Sequence, residues 1–311
     1  MGGDMVGMDA GRAPGPVSES AAQITQAAAG QAGGENFPVA LRLLPARYRH
    51  HLAAVYGFAR SADDMGDEAA PQERLALLDE LEADLDRLYA ALPGGDAGAP
   101  GGPGGGQPRL GVVRALGPAV AGCGIPAQPF RDLIQANRQD QAVSRYPDFA
   151  GLIGYCRLSA NPVGRIVLHV FGAATPEREE LSDRVCSALQ LAEHWQDVAE
   201  DYRAGRVYLP QEDLARFGVT EDELAAPAAS PQLRALMEFE VKRARNLLDD
   251  GAPLTGTLRG AARAAVAGYV AGGRAALRAI TAAGYDVLTI TPRPRKARLA
   301  AELARAYASG R

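Results

Sequence analysis

Apolar residues recur at intervals of three and four along most of this 311-residue chain, and no other feature of the sequence constrains its fold as strongly. In the window 73–92 five leucines form one such stripe: Leu75, Leu78, Leu81, Leu85 and Leu88. A stripe with this period is typical of a helix that packs one face against a core. The same period predicts helices over residues 110–116, 130–142, 149–156, 164–171, 177–202, 232–248, 258–283 and 295–307. No segment alternates as a β-strand does, so the sequence predicts an all-α fold.

Two segments interrupt this pattern. Residues 1–34 are rich in Gly, Ala, Ser and Gln and hold almost no large apolar side chains, so they cannot offset the entropy lost on ordering. We expect a disordered tail there. Residues 93–109 are dominated by Gly and Pro and predict a flexible surface loop. The rest, residues 35–311, is expected to form one helical domain.

Charge and cysteine usage narrow the class of protein. The 33 basic and 37 acidic residues give a net charge of −4, so no basic face for a nucleic acid is expected. Three widely spaced cysteines without metal or redox spacing fit a reducing cytoplasm. No apolar run approaches the roughly 18 residues that span a bilayer. A cytoplasmic protein, at most peripheral to the membrane, is expected.

One basic stretch near the C-terminus consists of Arg293, Arg295, Lys296 and Arg298. It could contact lipid headgroups, cover a diphosphate or simply be solvated.

The segment YGFARSADDMGDE, residues 56–68, holds a first acidic cluster. Asp63 and Asp67 stand four residues apart and Asp64 and Asp67 three apart, which on a helix places the carboxylates on one face. Such like charges repel unless a cation lies between them. Mg²⁺ is suitable because it takes one or two carboxylates together with phosphate oxygens of a substrate. Arg60, one turn earlier, could neutralise the aspartates or bind a diphosphate itself.

The segment HWQDVAEDYRAGRVYLP, residues 194–210, repeats the arrangement with Asp197, Glu200 and Asp201. A lone acidic cluster is commonly a solvated helix end, but two clusters with one spacing, roughly 130 residues apart, indicate a shared function. Facing each other across a cavity, they could hold Mg²⁺ ions that neutralise a leaving diphosphate. Arg206 and Tyr208 follow at the helix exit, as phosphate contacts or as ordinary loop residues. For His194 and Trp195 ordinary helix packing is favoured.

Five segments in this order and separation resemble the squalene/phytoene synthase family: NFPVALRLLP (36–45), YGFARSADDMGDE, residues 138–172, QDVAEDYRAGRVYLP and AAGYDVL (282–288). The features ENFPVA, SANPVG and WQDV look most like the hydroxysqualene synthase branch of bacterial hopanoid biosynthesis. The resemblance implies a single-domain isoprenoid-synthase-type helical bundle with a central apolar cavity.

The activity that this resemblance implies is conversion of presqualene diphosphate to hydroxysqualene by ionisation, cation rearrangement and water capture. Mg²⁺ is expected as cofactor and NADPH is not. The partners implied are a presqualene diphosphate synthase upstream and a hydroxysqualene-processing enzyme downstream.

The resemblance also implies roles for individual residues. The catalytic, metal-binding set is Asp63, Asp67, Asp197 and Asp201, with Asp64 and Glu200 as additional metal ligands. Diphosphate contacts are Arg60, Arg206 and Tyr208. The substrate channel is lined by Phe37, Tyr56, Tyr155, Ser159, Ala160, Val163, Gly164 and Gln190.

Two departures from the family pattern bear on the reaction. Glu193 and Gln196 stand where the family usually carries Asn and Arg. Loss of the Arg weakens the case for binding two diphosphates and fits an enzyme that starts from one, while Glu193 could equally alter metal binding.

The alternatives to hydroxysqualene synthesis are a condensing squalene, presqualene diphosphate or phytoene synthase. Of these, a reductive squalene synthase needs NADPH. A non-catalytic lipid-binding protein of the same fold is disfavoured because both acidic clusters are intact.

Overall fold

The computed structural model describes residues 20–21, 23–25, 44–92 and 106–293. These residues contain helices and no strand; one isolated bridge pairs Arg145 with Val207. The predicted all-α fold is confirmed. Several predictions lie outside the described residues: Phe37, most of the tail and of the 93–109 loop, the helix over 295–307, and Arg295, Lys296 and Arg298.

The helices follow one another in this order: α1 Ala46–Asp67, α2 Arg74–Ala90, α3 Gly111–Cys123, α4 Gln128–Asp140, α5 Phe149–Ser159, α6 Asn161–Val170, α7 Pro176–Gln196, α8 Val198–Arg203, α9 Gln211–Phe217, a 3₁₀ helix Glu221–Ala225, α10 Pro231–Gly251, α11 Leu254–Thr257 and α12 Gly260–Ala282. Three helix starts are fixed by side chains that accept a hydrogen bond from a backbone N–H three residues on. These caps are Asp148, Thr175 and Ser230. None of the described helices is both long and apolar enough to cross a membrane.

The helices enclose two hydrophobic cores that meet at α6. The first core is built from α1 to α4, and the second mainly from α5, α7, α10 and α12. Helix α6 contributes Ile166 to the first core and Leu168 to the second. Gly164 allows α6 to lie against α7, because a Cβ atom at this position would collide with Ser182 Oγ and Cys186 Sγ. The first acidic cluster therefore belongs to one half of the bundle and the second to the other.

Three details differ from the predictions. The helix predicted over 177–202 is interrupted at Asp197, whose φ of −106° and ψ of 16° separate α7 from α8. A single junction residue leaves the apolar period intact, so the period could not show the break between the two helices.

Leu75 is 51 % exposed because it lies in the first turn of α2, before the helix reaches the core. Residues 20, 21 and 23–25 are helical within the predicted disordered tail, and Ala21 is buried in the first core, consistent with the helix propensity of Ala and Gln.

Candidate active site

An apolar cavity of about 350 Å³ lies between α6, α7, α11 and α12. This volume is within the range of about 300–1,000 Å³ that is usual for small-molecule sites. Its walls are largely aliphatic, with Val167, Leu168, Leu189 and Val266 among them. Five residues predicted for the substrate channel line it: Ser159, Ala160, Val163, Gly164 and Gln190. The two predicted channel tyrosines do not: Tyr56 is half-buried on α1, and Tyr155 lies elsewhere in the site.

One end of the cavity leads toward the second acidic cluster. Gln190 and Glu193 line the cavity from α7, and Asp197 follows Glu193 by one helical turn. Desolvation, together with the charge of Asp197, raises the pKa of Glu193. The apolar cavity and the acidic cluster are therefore neighbouring parts of one site.

The first acidic cluster lies on α1, which is unbroken through Asp67. Asn137 of α4 donates from Nδ2 to Asp63 Oδ1 over 3.0 Å, which fixes the Asp63 carboxylate. Gly66 makes room for this bond, because a Cβ atom there would collide with the Asn137 side chain. Burial among protein atoms raises the pKa of Asp63 to about 6, the Asn137 bond opposes the rise, and Asp67 adds to it.

Asp64 and Arg60 are paired with each other on α1. The Asp64 carboxylate is buried, and its Oδ1 atom lies 2.7 Å from Arg60 Nε. Arg60 also places Nη2 3.0 Å from Glu68 Oε1. The guanidinium thus neutralises one carboxylate of its own helix and one at the residue that follows the helix. The metal role of Asp64 and the diphosphate role of Arg60 stay predictions.

The second acidic cluster surrounds the junction between α7 and α8. The Asp201 N–H donates to the Asp197 carbonyl over 2.8 Å, so the helical spacing of the two carboxylates survives the break. Burial raises the pKa of Asp201 to about 7; Arg206 opposes this rise, and Asp197, Glu200 and Glu193 add to it. Burial and Glu200 likewise raise the pKa of Asp197. Four acidic side chains thus concentrate negative charge at this point.

Gln196, at the position where the family usually has Arg, contacts the C-terminal segment. Its Nε2 atom donates to the Pro292 carbonyl. Arg293 follows directly, and its charge lowers the pKa of Asp197 against the effect of burial. Arg293 is itself exposed, and the three roles expected for the basic stretch stay predictions.

Arg206 connects the two acidic clusters. Its Nη1 atom lies 3.5 Å from Asp67 Oδ1 on α1, and its charge also acts on Asp201. Gly205, with φ of 84°, turns the chain after α8 and so directs Arg206 back toward α1. The Nε atom of Arg206 is buried and has no hydrogen-bond partner among the described residues. A donor in this position suits an oxygen of a bound diphosphate.

Asp140, at the end of α4, is a site residue that the sequence analysis missed. Tyr155 donates from its hydroxyl to Asp140 Oδ2 over 2.9 Å, while Asp140 Oδ1 is buried without a partner in the described part of the chain. Burial raises the pKa of Asp140 to about 6, and the charges of Asp67 and Arg206 act on it as well. Its only sequence signal was its position within the matching segment 138–172.

His194 is part of the site as well as of the helix packing. Its ring stacks on Tyr208 with centroids 3.6 Å apart, and its Nε2 atom lies 3.1 Å from Gln190 Nε2. Burial and the nearby Arg206 lower the pKa of His194 to about 3, so the ring is neutral. The expectation of ordinary packing was incomplete for His194, whereas Trp195 is fully buried in the second core.

Tyr208 and Tyr155 belong to one aromatic group with Tyr146 and His194. Tyr208 is buried beneath the His194 ring. Tyr155 packs against this group and points its hydroxyl at Asp140, which explains why it does not line the apolar cavity. Through the Tyr155 hydroxyl this group holds the Asp140 carboxylate in the site.

The donor set fits Mg²⁺ that is held jointly with a diphosphate. No group of three or more His, Cys, Asp or Glu side chains in the described ranges could bind a metal by itself. Mg²⁺ does not require such a cage, since it is commonly held by one or two carboxylates and substrate phosphates. The pairs Asp63/Asp67 and Asp197/Asp201 would be those carboxylates. Asp140 Oδ1, which is buried and has no hydrogen-bond partner among the described residues, would be a further acceptor.

Comparison with known proteins agrees with this geometry. Residues 31–301 match the family described as squalene/phytoene synthase. The chain belongs to this family. It is 36 % identical to the hydroxysqualene synthase of Rhodopseudomonas palustris over 72 % of each chain. It is also 34 % identical to the presqualene diphosphate synthase of the same organism, over 69 % of this chain and 72 % of that one.

A solved structure shows the same architecture. The crystal structure of squalene synthase HpnC from Alicyclobacillus acidocaldarius superposes with a TM-score of 0.74 and 38 % sequence identity. The superposition covers 86 % of this chain and 95 % of the other. The isoprenoid-synthase-type bundle expected from the resemblance is thereby confirmed. Family membership makes this chain an enzyme that acts on prenyl diphosphates.

Proposed function

We propose that this protein converts presqualene diphosphate to hydroxysqualene, with Mg²⁺ as cofactor and without NADPH. The observation that carries the proposal is Arg206, which contacts the first acidic cluster through Asp67 and acts on the second through Asp201. Glu193, whose charge also acts on Asp201, lines the apolar cavity and so connects the clusters to it. This arrangement supports a single diphosphate held between the clusters with its hydrocarbon in the cavity. The 36 % identity to a hydroxysqualene synthase supports the same reaction.

In this proposal the carboxylates that hold the metal are Asp63, Asp67, Asp197 and Asp201, with Asp64 and Glu200 as further candidates. When bound, Mg²⁺ neutralises the negative charge that develops on the leaving diphosphate. Arg206 donates to the diphosphate from its otherwise unpartnered Nε atom. Asn137 keeps Asp63 oriented, and the positive charge of Arg293 favours ionised Asp197.

The cavity controls the fate of the carbon skeleton. Its aliphatic walls exclude bulk water while the two isoprenoid chains are bound, so the cation that forms on ionisation rearranges before it is captured. The carbon–oxygen bond breaks with its electron pair leaving on the diphosphate. One water then forms the new carbon–oxygen bond and loses one proton, which gives a neutral alcohol.

The second candidate is a condensing synthase that joins two allylic diphosphates. The 34 % identity to a presqualene diphosphate synthase favours it. The Gln196 contact argues against it, because this side chain is neutral and bonded to the Pro292 carbonyl, where the family usually has a cation. The position therefore supplies no charge for a second diphosphate.

The purified full chain is incubated with Mg²⁺ and either presqualene diphosphate or farnesyl diphosphate, without NADPH, and the lipids are identified by mass spectrometry. Hydroxysqualene from presqualene diphosphate is the expected product. Presqualene diphosphate from farnesyl diphosphate would assign the condensing reaction instead. No turnover of either substrate would point to the non-catalytic, lipid-binding role.

The proposed chemistry also defines the neighbouring steps. An upstream enzyme must join two farnesyl diphosphates into presqualene diphosphate, and a downstream enzyme must consume hydroxysqualene. Both lipids partition into bilayers, so we propose that the enzyme exchanges them at the inner face of the cytoplasmic membrane as a peripheral protein.

A further inference from the structure

The apolar cavity is lined by few polar side chains, and three of them contact a neighbouring group. Ser159 Oγ donates to the Tyr155 carbonyl over 3.1 Å. Ser182 Oγ lies 4.0 Å from Cys186 Sγ, within the contact between α6 and α7. Gln190 Nε2 lies 3.1 Å from His194 Nε2. Each of these groups keeps some hydrogen-bonding capacity, as does the hydroxyl of Tyr269, which also lines the cavity. All of them are neutral, however, so none is an anion that could take a proton from a bound water.

Glu193 differs from these groups in two respects. It is the one carboxylate among the described residues that line the cavity, and its side chain is accessible. Its carboxylate forms no hydrogen bond or ion pair with another described residue. Both oxygens can therefore accept hydrogen bonds from water at the cavity wall.

The position of Glu193 on α7 places this carboxylate between the apolar wall and the acidic cluster. Asp197 lies one turn further along the chain, and Gln190 one turn earlier. A water bound to Glu193 would thus lie at the boundary between the hydrocarbon and the leaving group. A negative charge there also attracts positive charge on the adjacent carbon skeleton, an attraction that strengthens once the bound hydrocarbon has displaced water from the cavity.

We propose that Glu193 binds the water molecule that captures the carbocation and accepts its proton; this inference rests on the proposed function. The water oxygen forms a bond to the cationic carbon as one of its O–H bonds breaks. The proton goes to the Glu193 carboxylate, so the products are a neutral alcohol and a neutral carboxylic acid. Glu193 thereby determines the product at the step that follows ionisation.

The test compares the wild type with Glu193→Gln, which keeps the shape of the side chain and removes its charge, and with Glu193→Asp. Glu180→Gln is the matched control, because Glu180 lies on the same helix with its side chain 69 % exposed, paired only with Arg184 on that helix. Each protein receives presqualene diphosphate and Mg²⁺. Diphosphate release reports ionisation, and mass spectrometry of the lipids reports capture.

For Glu193→Gln we expect the yield of hydroxysqualene per diphosphate released to fall at least about tenfold, with hydrocarbons formed by proton loss in its place. Glu193→Asp should restore part of the alcohol, and Glu180→Gln should behave as wild type. An unchanged product share in Glu193→Gln would overturn the inference. So would a fall in diphosphate release with unchanged products, which would assign Glu193 to metal binding. A wild type that forms no hydroxysqualene would refute the proposed function itself, whatever the variants do.

Discussion

The two acidic clusters share one sequence spacing, yet the protein builds them differently. The first lies on an unbroken helix, and its leading carboxylate is oriented by a donor from outside, Asn137. The second surrounds a helix junction at Asp197 and is crowded by the further acids Glu193 and Glu200. Burial raises the pKa of carboxyl groups in both clusters, but the first is distinguished by a hydrogen bond from outside and the second by a larger number of neighbouring acids.

This difference shows how equal spacing can serve unequal roles. A carboxylate held by a neutral donor keeps its direction whether or not a cation is present. Carboxylates that repel one another gain most when a cation arrives, because binding relieves the repulsion. We therefore expect the first cluster to set the position of the diphosphate and the second to respond most strongly to Mg²⁺.

The largest effect is expected when either cluster loses a metal-facing carboxylate. Asp63→Ala and Asp197→Ala should each lower turnover of presqualene diphosphate by more than about 100-fold, because each removes a ligand and not merely a supporting group. Steady-state assays at saturating Mg²⁺ measure this. Asp79→Ala, on the exposed side of α2, is the control. Near-normal turnover in either cluster variant would remove that cluster from the reaction.

Removing the connection between the clusters should have the next largest effect. Arg206→Met should lower turnover roughly 10- to 100-fold by withdrawing charge-assisted bonds to the diphosphate. Arg206→Lys should recover only part of this loss, because an ammonium group lacks the planar fork of a guanidinium. If Arg206→Met lowers thermal stability but leaves turnover per folded molecule unchanged, the bridging role is wrong.

A smaller effect should isolate the hydrogen bond that defines the first cluster. Gly66→Ala displaces the Asn137 side chain, and Asn137→Leu removes the donor; each should weaken apparent Mg²⁺ affinity by about tenfold. Isothermal titration with Mg²⁺ and inorganic diphosphate measures this without turnover. The double variant should be no worse than the more damaged single variant, because both changes break one contact. Additive losses would show that the two residues act separately.

The smallest expected effect is a shift of the pH–activity profile, and variants at the two clusters should move its acid limb in opposite directions. Asp63 and Asp201, with pKa values raised to about 6 and about 7, must be ionised to hold a cation, so activity should rise with pH through this window. Higher Mg²⁺ should move the acid limb to lower pH. Asn137→Leu should move it to higher pH by removing a bond that favours ionised Asp63.

Glu200→Gln should instead move the acid limb to lower pH, because it removes a like charge beside Asp201. The free energy of unfolding should change with pH in the opposite direction from activity. Without Mg²⁺ the folded state favours protonated Asp63 and Asp201, so their contribution to stability is lost as pH rises through about 6 and about 7. If Asn137→Leu and Glu200→Gln moved the acid limb of the activity profile in the same direction, the distinction between the clusters would be wrong.

The sequence predicted the helices and the fold, because apolar period and the two acidic spacings are local properties of the chain. The sequence did not indicate that Asn137 and Asp140 belong to the site, since both lie on α4 and reach the site only through tertiary packing against α1 and α5. The pairing of Arg60 with Asp64 follows from an i,i+4 spacing that also fitted a diphosphate role. The break at Asp197 occupies one residue and leaves no mark in the apolar period.

The most direct test of the central claim is turnover of presqualene diphosphate in ¹⁸O-enriched water with Mg²⁺ and no NADPH, followed by mass spectrometry of the lipid product. Ionisation between the two clusters followed by water capture predicts hydroxysqualene that carries one ¹⁸O atom. An unlabelled alcohol, formed by cleavage at phosphorus, would contradict the account, and so would an absence of any alcohol.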